Sequence, residues 1–150
     1  MGHWTTFDSP QGRISAWKAE PHGPPRGALV VVQEIFGVNP HIRAVAEGFA
    51  VEGYVALAPA YFDPLELNVE LDYDDAGIAR GRELITALGL DKALAITAAA
   101  AESLGSPGKV PGLAQPLKLD GPAVADIFLG RLTKWNDARL AAVIPGGSLP

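Results

Sequence analysis

The chain of 150 residues contains no cysteine and a single methionine. Without cysteine there is no disulfide, no thiolate metal ligand and no cysteine nucleophile. Positive charge is also scarce: twelve Lys and Arg stand against seventeen Asp and Glu, for a net charge of -5. The basic residues are scattered, so no stripe exists to neutralise a phosphate backbone, and nucleic acid is not expected as a partner. No apolar run approaches the roughly 20 residues needed to cross a bilayer. The opening MGHWTTFDSPQGR lacks a basic-then-apolar signal region, so the expectation is a soluble, cytoplasmic chain with no membrane partner. No spacing of His, Asp or Glu suggests a metal site, and no motif suggests a cofactor.

What is present reads as alternating strands and helices. The 17 glycines and 13 prolines sit between periodic segments and form no tract, and no internal repeat is visible. WTTF (4–7) and RISAWKAE (13–20) alternate around the turn DSPQG, which predicts an amino-terminal hairpin. GALVVVQ (27–33), with three consecutive valines, predicts a strand buried on both faces. Asn39 can then cap a helix whose first residue is Pro40, with Ile42, Val45, Ala46, Phe49 and Ala50 at helical spacing up to Gly53. YVALAPA (54–60) is a second buried strand, completing a βαβ unit with parallel strands. Residues 61–72 read as a loop, Asp74 or Asp75 as the cap of a helix to about Leu88, and LDKALAITAAAAESL (90–104) as a further helix. The fold class is therefore α/β.

After SPGKV (106–110) the expected apolar strand does not arrive. Three prolines and a short PLKL intervene, followed by helices expected at about 122–130 and 137–143. The shift in composition makes Val110–Pro111 the candidate boundary between residues 1–110 and a mostly helical appendage, 111–150, expected to pack on them as one domain.

VVVQEIFGVNPHIR, EGYVALAPAYF and the run LDYDDAGIARGRELITALGLDKAL to ESLGSPGKV resemble the amino-terminal half of the dienelactone hydrolase family, within the α/β-hydrolases. The resemblance implies a partial α/β-hydrolase-like sheet, the hairpin plus the parallel βαβ unit, flanked by helices. It also implies catalytic roles for Glu34, as the carboxylate that activates a cysteine nucleophile, and for the Ile35 backbone N–H, as part of an oxyanion hole. In that family the next strand carries a Gly-x-Cys-x-Gly elbow, followed later by an aspartate and a histidine. LKLDGPAVADIFLGRLTKWNDARLAAVIPGGSLP resembles instead a segment of the periplasmic phosphate-binding proteins of ABC uptake systems. Together the two resemblances imply a chimera: a hydrolase part without nucleophile, acid or histidine, joined to a binding-protein segment.

Other residues weigh less. A carboxylate at a strand end beside a helix start is physically sensible, yet with its partners absent Glu34 reads more readily as a solvated strand-end residue. Ser106 in LGSPG lacks the Gly-x-Ser-x-Gly spacing. His3, His22 and His41 all precede the helical half, and His41 reads as a surface residue more readily than as a neighbour of Glu34. Asp72, Asp74 and Asp75 lack the spacing of a calcium loop and read as caps. Arg80 or Arg82 could touch a substrate carboxylate, and Trp135 reads as packing. Three functions follow: an inactive hydrolase-derived domain with at most weak esterase activity on a small ester, a module for phosphate or another small anion at helix amino termini near Asn39 or Gly121, and a chain without a ligand. A missing neighbour beside Val30–Val32 would leave a sheet edge, to be filled by KVPGL or PLKL or by a second copy in a homodimer.

Overall fold

The computed structural model describes residues 2–105. Within them the sheet has four strands: β1 (His3–Ser9), β2 (Gly12–Ala19), β3 (Gly27–Val30) and β4 (Tyr54–Pro59), in the spatial order β1-β2-β4-β3. The first two form the expected hairpin, with Phe7 opposite Ile14. β4 then lies between β2, antiparallel, and β3, parallel, with Ala56 facing both Ala19 and Leu29. Helices α1 (Pro40–Val51), α2 (Asp75–Leu88) and α3 (Leu90–Ser103) follow the predicted spans closely.

The period of two along the strands sorts the core into two layers. Ala19, Ala56 and Ala58 meet Ile42, Ala46 and Ala50 of α1. Ile14, Ala16 and Leu57 on the opposite face meet Leu84 and Leu88 of α2 and Ile96 and Ala100 of α3. Small alanines on the α1 side let that helix lie close to the sheet, while the bulkier set fills the space under two helices.

The three-valine strand departs from expectation. β3 ends at Val30, followed by one more ladder bond from Val31 N–H to the Leu57 carbonyl at 2.8 Å. The next bond of a parallel ladder would come from the amide of residue 59, which is a proline and has no N–H. The strands therefore part, and the valines are not buried on both faces: Val31 is 7% exposed and Val32 is 62% exposed. Among the described residues β3 has a strand neighbour on one side alone. The replacement strands KVPGL and PLKL and the helices at 122–130 and 137–143 lie outside the described residues.

Candidate functional site

Glu34 stands in the segment that leaves β3, exposed to solvent, and two devices fix that segment. Gly37 adopts φ +83°, and any Cβ there would overlap the Val69 carbonyl oxygen, so glycine is required both for the backbone conformation and for the approach of residues 69–70. Leu71 N–H then donates to the Phe36 carbonyl at 2.9 Å. On the other side, Gly81 of α2 lies against the Ile35 carbonyl, where a Cβ would also overlap backbone. The Ile35 peptide is thus wedged by a helix with no side chain at the contact.

The tether from Phe36 to Leu71 brings Tyr73 to Glu34. The Tyr73 hydroxyl donates to Glu34 Oε2 at 2.7 Å and accepts from Asn39 Nδ2 at 3.1 Å. The same Asn39 accepts the Ile42 N–H through Oδ1 at 3.1 Å, capping α1 as predicted. The Phe36 and Tyr73 rings pack with centroids 4.2 Å apart and planes tilted by 40°. The phenol is held in its protonated form by the carboxylate that accepts its hydrogen bond, which raises its pKa above the ordinary value; the Asn39 donor opposes this. Nothing local in LDYDD marks Tyr73, whose partner lies 39 positions away, whereas the aspartates beside it read as helix caps. That interpretation holds for Asp74, whose carboxylate accepts the Gly77 N–H at 2.7 Å.

The other candidates lie apart. His3, His22 and His41 are all exposed. Arg80 is exposed and committed to Glu66 and Glu83. Arg82 is exposed on α2. Asp75 occupies the first turn of α2 and Asp72 is exposed in the preceding loop. At the amino terminus of α1 the Ile42 N–H is taken by the Asn39 side chain. Ser106, Gly121 and Trp135 lie outside the described residues.

Beyond Glu34 a recess of about 310 Å³ opens between the end of β3 and the α2–α3 corner. Val32, Ile35, Ile85, Leu90 and Leu94 are among its walls, and Tyr61 and Thr97 also line it. Gln33 braces it: its Oε1 accepts the Tyr61 N–H at 3.1 Å and its Nε2 donates to the Glu34 carbonyl at 3.2 Å. A carboxylate, a phenol and an apolar recess can orient a ligand. Among the described residues no serine or threonine hydroxyl is hydrogen-bonded to a histidine or a carboxylate; the one hydroxyl there that meets a carboxylate is the Tyr73 phenol on Glu34.

A mixed sheet covered by helices on both faces, with its polar group where the parallel strands end, defines an α/β protein with a strand-end site. The chain belongs to the dienelactone hydrolase family, whose pattern matches residues 14–110. Over 56 residues it is 52% identical to the "Putative carboxymethylenebutenolidase" of Synechocystis, a match covering 37% of this chain and 23% of that protein. A crystal structure of a "Putative Dienelactone Hydrolase" from Klebsiella pneumoniae superposes with a TM-score of 0.54 at 29% identity, over 69% of this chain and 43% of that one. The chain thus spans about a quarter of the curated hydrolase relatives it matches, and under half of the solved one. Over 34 residues the chain is 56% identical to the "Phosphate-binding protein PstS" of Xylella fastidiosa, covering 23% of this chain and 9% of that protein.

Proposed function

We propose that the 150-residue chain is a hydrolase-family scaffold that does not turn over esters efficiently, joined near Val110–Pro111 to a segment of phosphate-binding-protein type. The observation that carries this reading is the company Glu34 keeps. The family resemblance assigns that carboxylate to a cysteine nucleophile, the sequence contains no cysteine, and the carboxylate instead accepts a hydrogen bond from the Tyr73 hydroxyl. That the family pattern ends at residue 110, with a phosphate-binding-protein likeness in the same chain, supports the junction.

Incubation with an activated aryl ester and with a mechanism-based esterase inhibitor tests the proposal. The expected result is hydrolysis close to the buffer rate, unchanged in Glu34→Gln, and no mass shift on the protein. A burst of product with a stoichiometric adduct would establish a nucleophile and defeat the reading. Slow turnover that falls in Glu34→Gln would instead assign Glu34 a residual catalytic role.

We also propose that copies of the chain associate weakly through the side of β3 that has no strand neighbour among the described residues. Association is expected to be weak because the strand has four residues and Pro24 and Pro25 precede it. Sedimentation across a wide concentration range should show reversible self-association; a strict monomer throughout discards the idea.

A further inference from the structure

We propose that the cleft over Trp4 binds a neutral carbohydrate, with one pyranose ring stacked on the indole and its hydroxyls on Ser15, Asp63 and Asn68. The cleft shares no lining residue with the recess beside Glu34, so the inference stands whether or not any ester is hydrolysed. It has a volume of about 460 Å³ over Trp4, Thr6, Ser15 and Asn68, and it continues into a tighter hollow of about 100 Å³ that Asp63 and Glu70 also line. Ligand sites run from about 300 to 1,000 Å³, so the size is that of a small molecule. Unlike the recess, the cleft has a surface that is polar and apolar in about equal parts.

The apolar part is a platform. Trp4 is 48% exposed, although it is the largest side chain on its strand. Its ring is held in place by Trp17, which meets it edge to face at 5.5 Å, and by the Arg43 guanidinium, which lies over it at 6.0 Å. An indole already fixed in the free protein costs little ordering when a ligand arrives. Its face carries partial negative charge, and one face of a pyranose presents C–H groups with partial positive charge, so the two stack.

The polar part comes from the hairpin and from residues 63–70, and it is fixed as well. Asp63 Oδ2 accepts the Ser15 N–H at 2.7 Å and Ala60 N–H donates to the Ser15 carbonyl at 2.8 Å, which tie the segment after β4 to the hairpin. Further along, Glu70 pairs with Gly37 and meets Arg43 at 2.6 Å. Between these anchors Asn68 takes φ +57°, a left-handed conformation that asparagine tolerates better than most residues. Asn68 brings a carboxamide, Ser15 and Thr6 bring hydroxyls, and Asp63 has a second carboxylate oxygen, so donors and acceptors occur together. A sugar hydroxyl is itself both donor and acceptor and needs that mixture. The charges favour a neutral ligand. An anion would face the Asp63 and Glu70 carboxylates, and a cation would meet Arg43, already placed over the ring.

The test titrates the full chain with methyl β-D-glucopyranoside, with sorbitol, which carries hydroxyls but no ring face, and with glucuronate. Saturable binding is expected for the glucoside, with sorbitol and glucuronate each weaker by about tenfold or more, corresponding to about 1.4 kcal/mol. The indole N–H resonance that disappears in Trp4→Phe should move as the glucoside is added. Trp4→Ala should weaken the glucoside by about tenfold or more through loss of the platform. Asn68→Gly keeps the left-handed backbone and removes only the carboxamide, so it should weaken the glucoside by roughly two- to tenfold, the worth of one hydrogen bond, in a protein with an unaltered thermal midpoint. Sorbitol or glucuronate binding as tightly as the glucoside would overturn the proposal. So would glucoside binding that is absent, or that is indifferent to both Trp4→Ala and Asn68→Gly.

Discussion

Tyr73 shows how one proton organises the site. The phenol has a single hydrogen, and it goes to Glu34; Asn39 donates to the phenol oxygen and accepts from α1. The carboxylate therefore raises the Tyr73 pKa. A folded-state value above the unfolded one of about 10 means that the stabilisation is fully present below pH ~10 and is lost as pH rises through the folded value. The group is 58% exposed, so solvent screening keeps the effect small. In an alkaline titration of tyrosinate absorbance, Tyr73 should ionise later than a free phenol, and Glu34→Gln should bring it back towards the ordinary value. Tyr73→Phe should cost roughly 0.5–1.5 kcal/mol at neutral pH, the net worth of a hydrogen bond, and the difference from wild type should vanish in strong alkali. Burial also raises Tyr61, so the titration needs Tyr73→Phe as its reference. Residue-level features legible in the sequence were the local ones. Asn39 and Asp74 cap amides three residues ahead, a spacing visible in any helix start. The bond from Tyr73 to Glu34 spans 39 positions and depends on Gly37 admitting the chain at Val69, which no local pattern announces.

At the scale of elements, two helical glycines with the same propensity should respond in opposite ways to alanine. Gly48 in α1 has nothing near the place a Cβ would occupy, so Gly48→Ala should stabilise by roughly 0.5–1 kcal/mol through reduced backbone freedom in the unfolded chain. Gly81 in α2 would gain the same helix propensity, but its Cβ would overlap the Ile35 carbonyl oxygen and press on the Ile35 side chain. Because the obstacle is backbone, the helix must move, and overpacking costs typically about 1–3 kcal/mol. Chemical denaturation should therefore show Gly81→Ala below wild type and Gly48→Ala above it. A Gly81→Ala protein as stable as wild type would show that α2 is not seated on Ile35. Helix spans were readable because caps and breakers are local: Pro40 after Asn39 starts α1, and Gly89 at φ +77° separates α2 from α3. The end of β3 was not readable, because Pro59 stops its ladder from the neighbouring strand. Valine composition gives no sign of a missing partner N–H.

For the folded unit as a whole, β4 links the two apolar layers. Leu57 points into the cluster under α2 and α3, while Ala56 and Ala58 point into the cluster under α1. Either layer can come apart alone only by exposing one face of a strand that the other layer still needs, so residues 2–105 should unfold as one cooperative unit. Trp4 and Trp17 report on the α1 side: their rings meet edge to face at 5.5 Å, with the Arg43 guanidinium over both. Of the three tryptophans, Trp135 alone lies outside this unit, so Trp135→Phe leaves a near-ultraviolet signal from this pair. In that background the tryptophan signal and the far-ultraviolet helix signal should melt at the same temperature. Leu57→Ala removes a side chain that is 2% exposed, a change that usually costs about 2–5 kcal/mol. For a unit of this size each kcal/mol lowers the midpoint by roughly 4–8 °C. Both signals should therefore fall together by on the order of 10 °C or more. If the helix signal moved and the tryptophan signal stayed, the two layers would be separate folding units, and β4 would not couple the Glu34 end of the sheet to the hairpin.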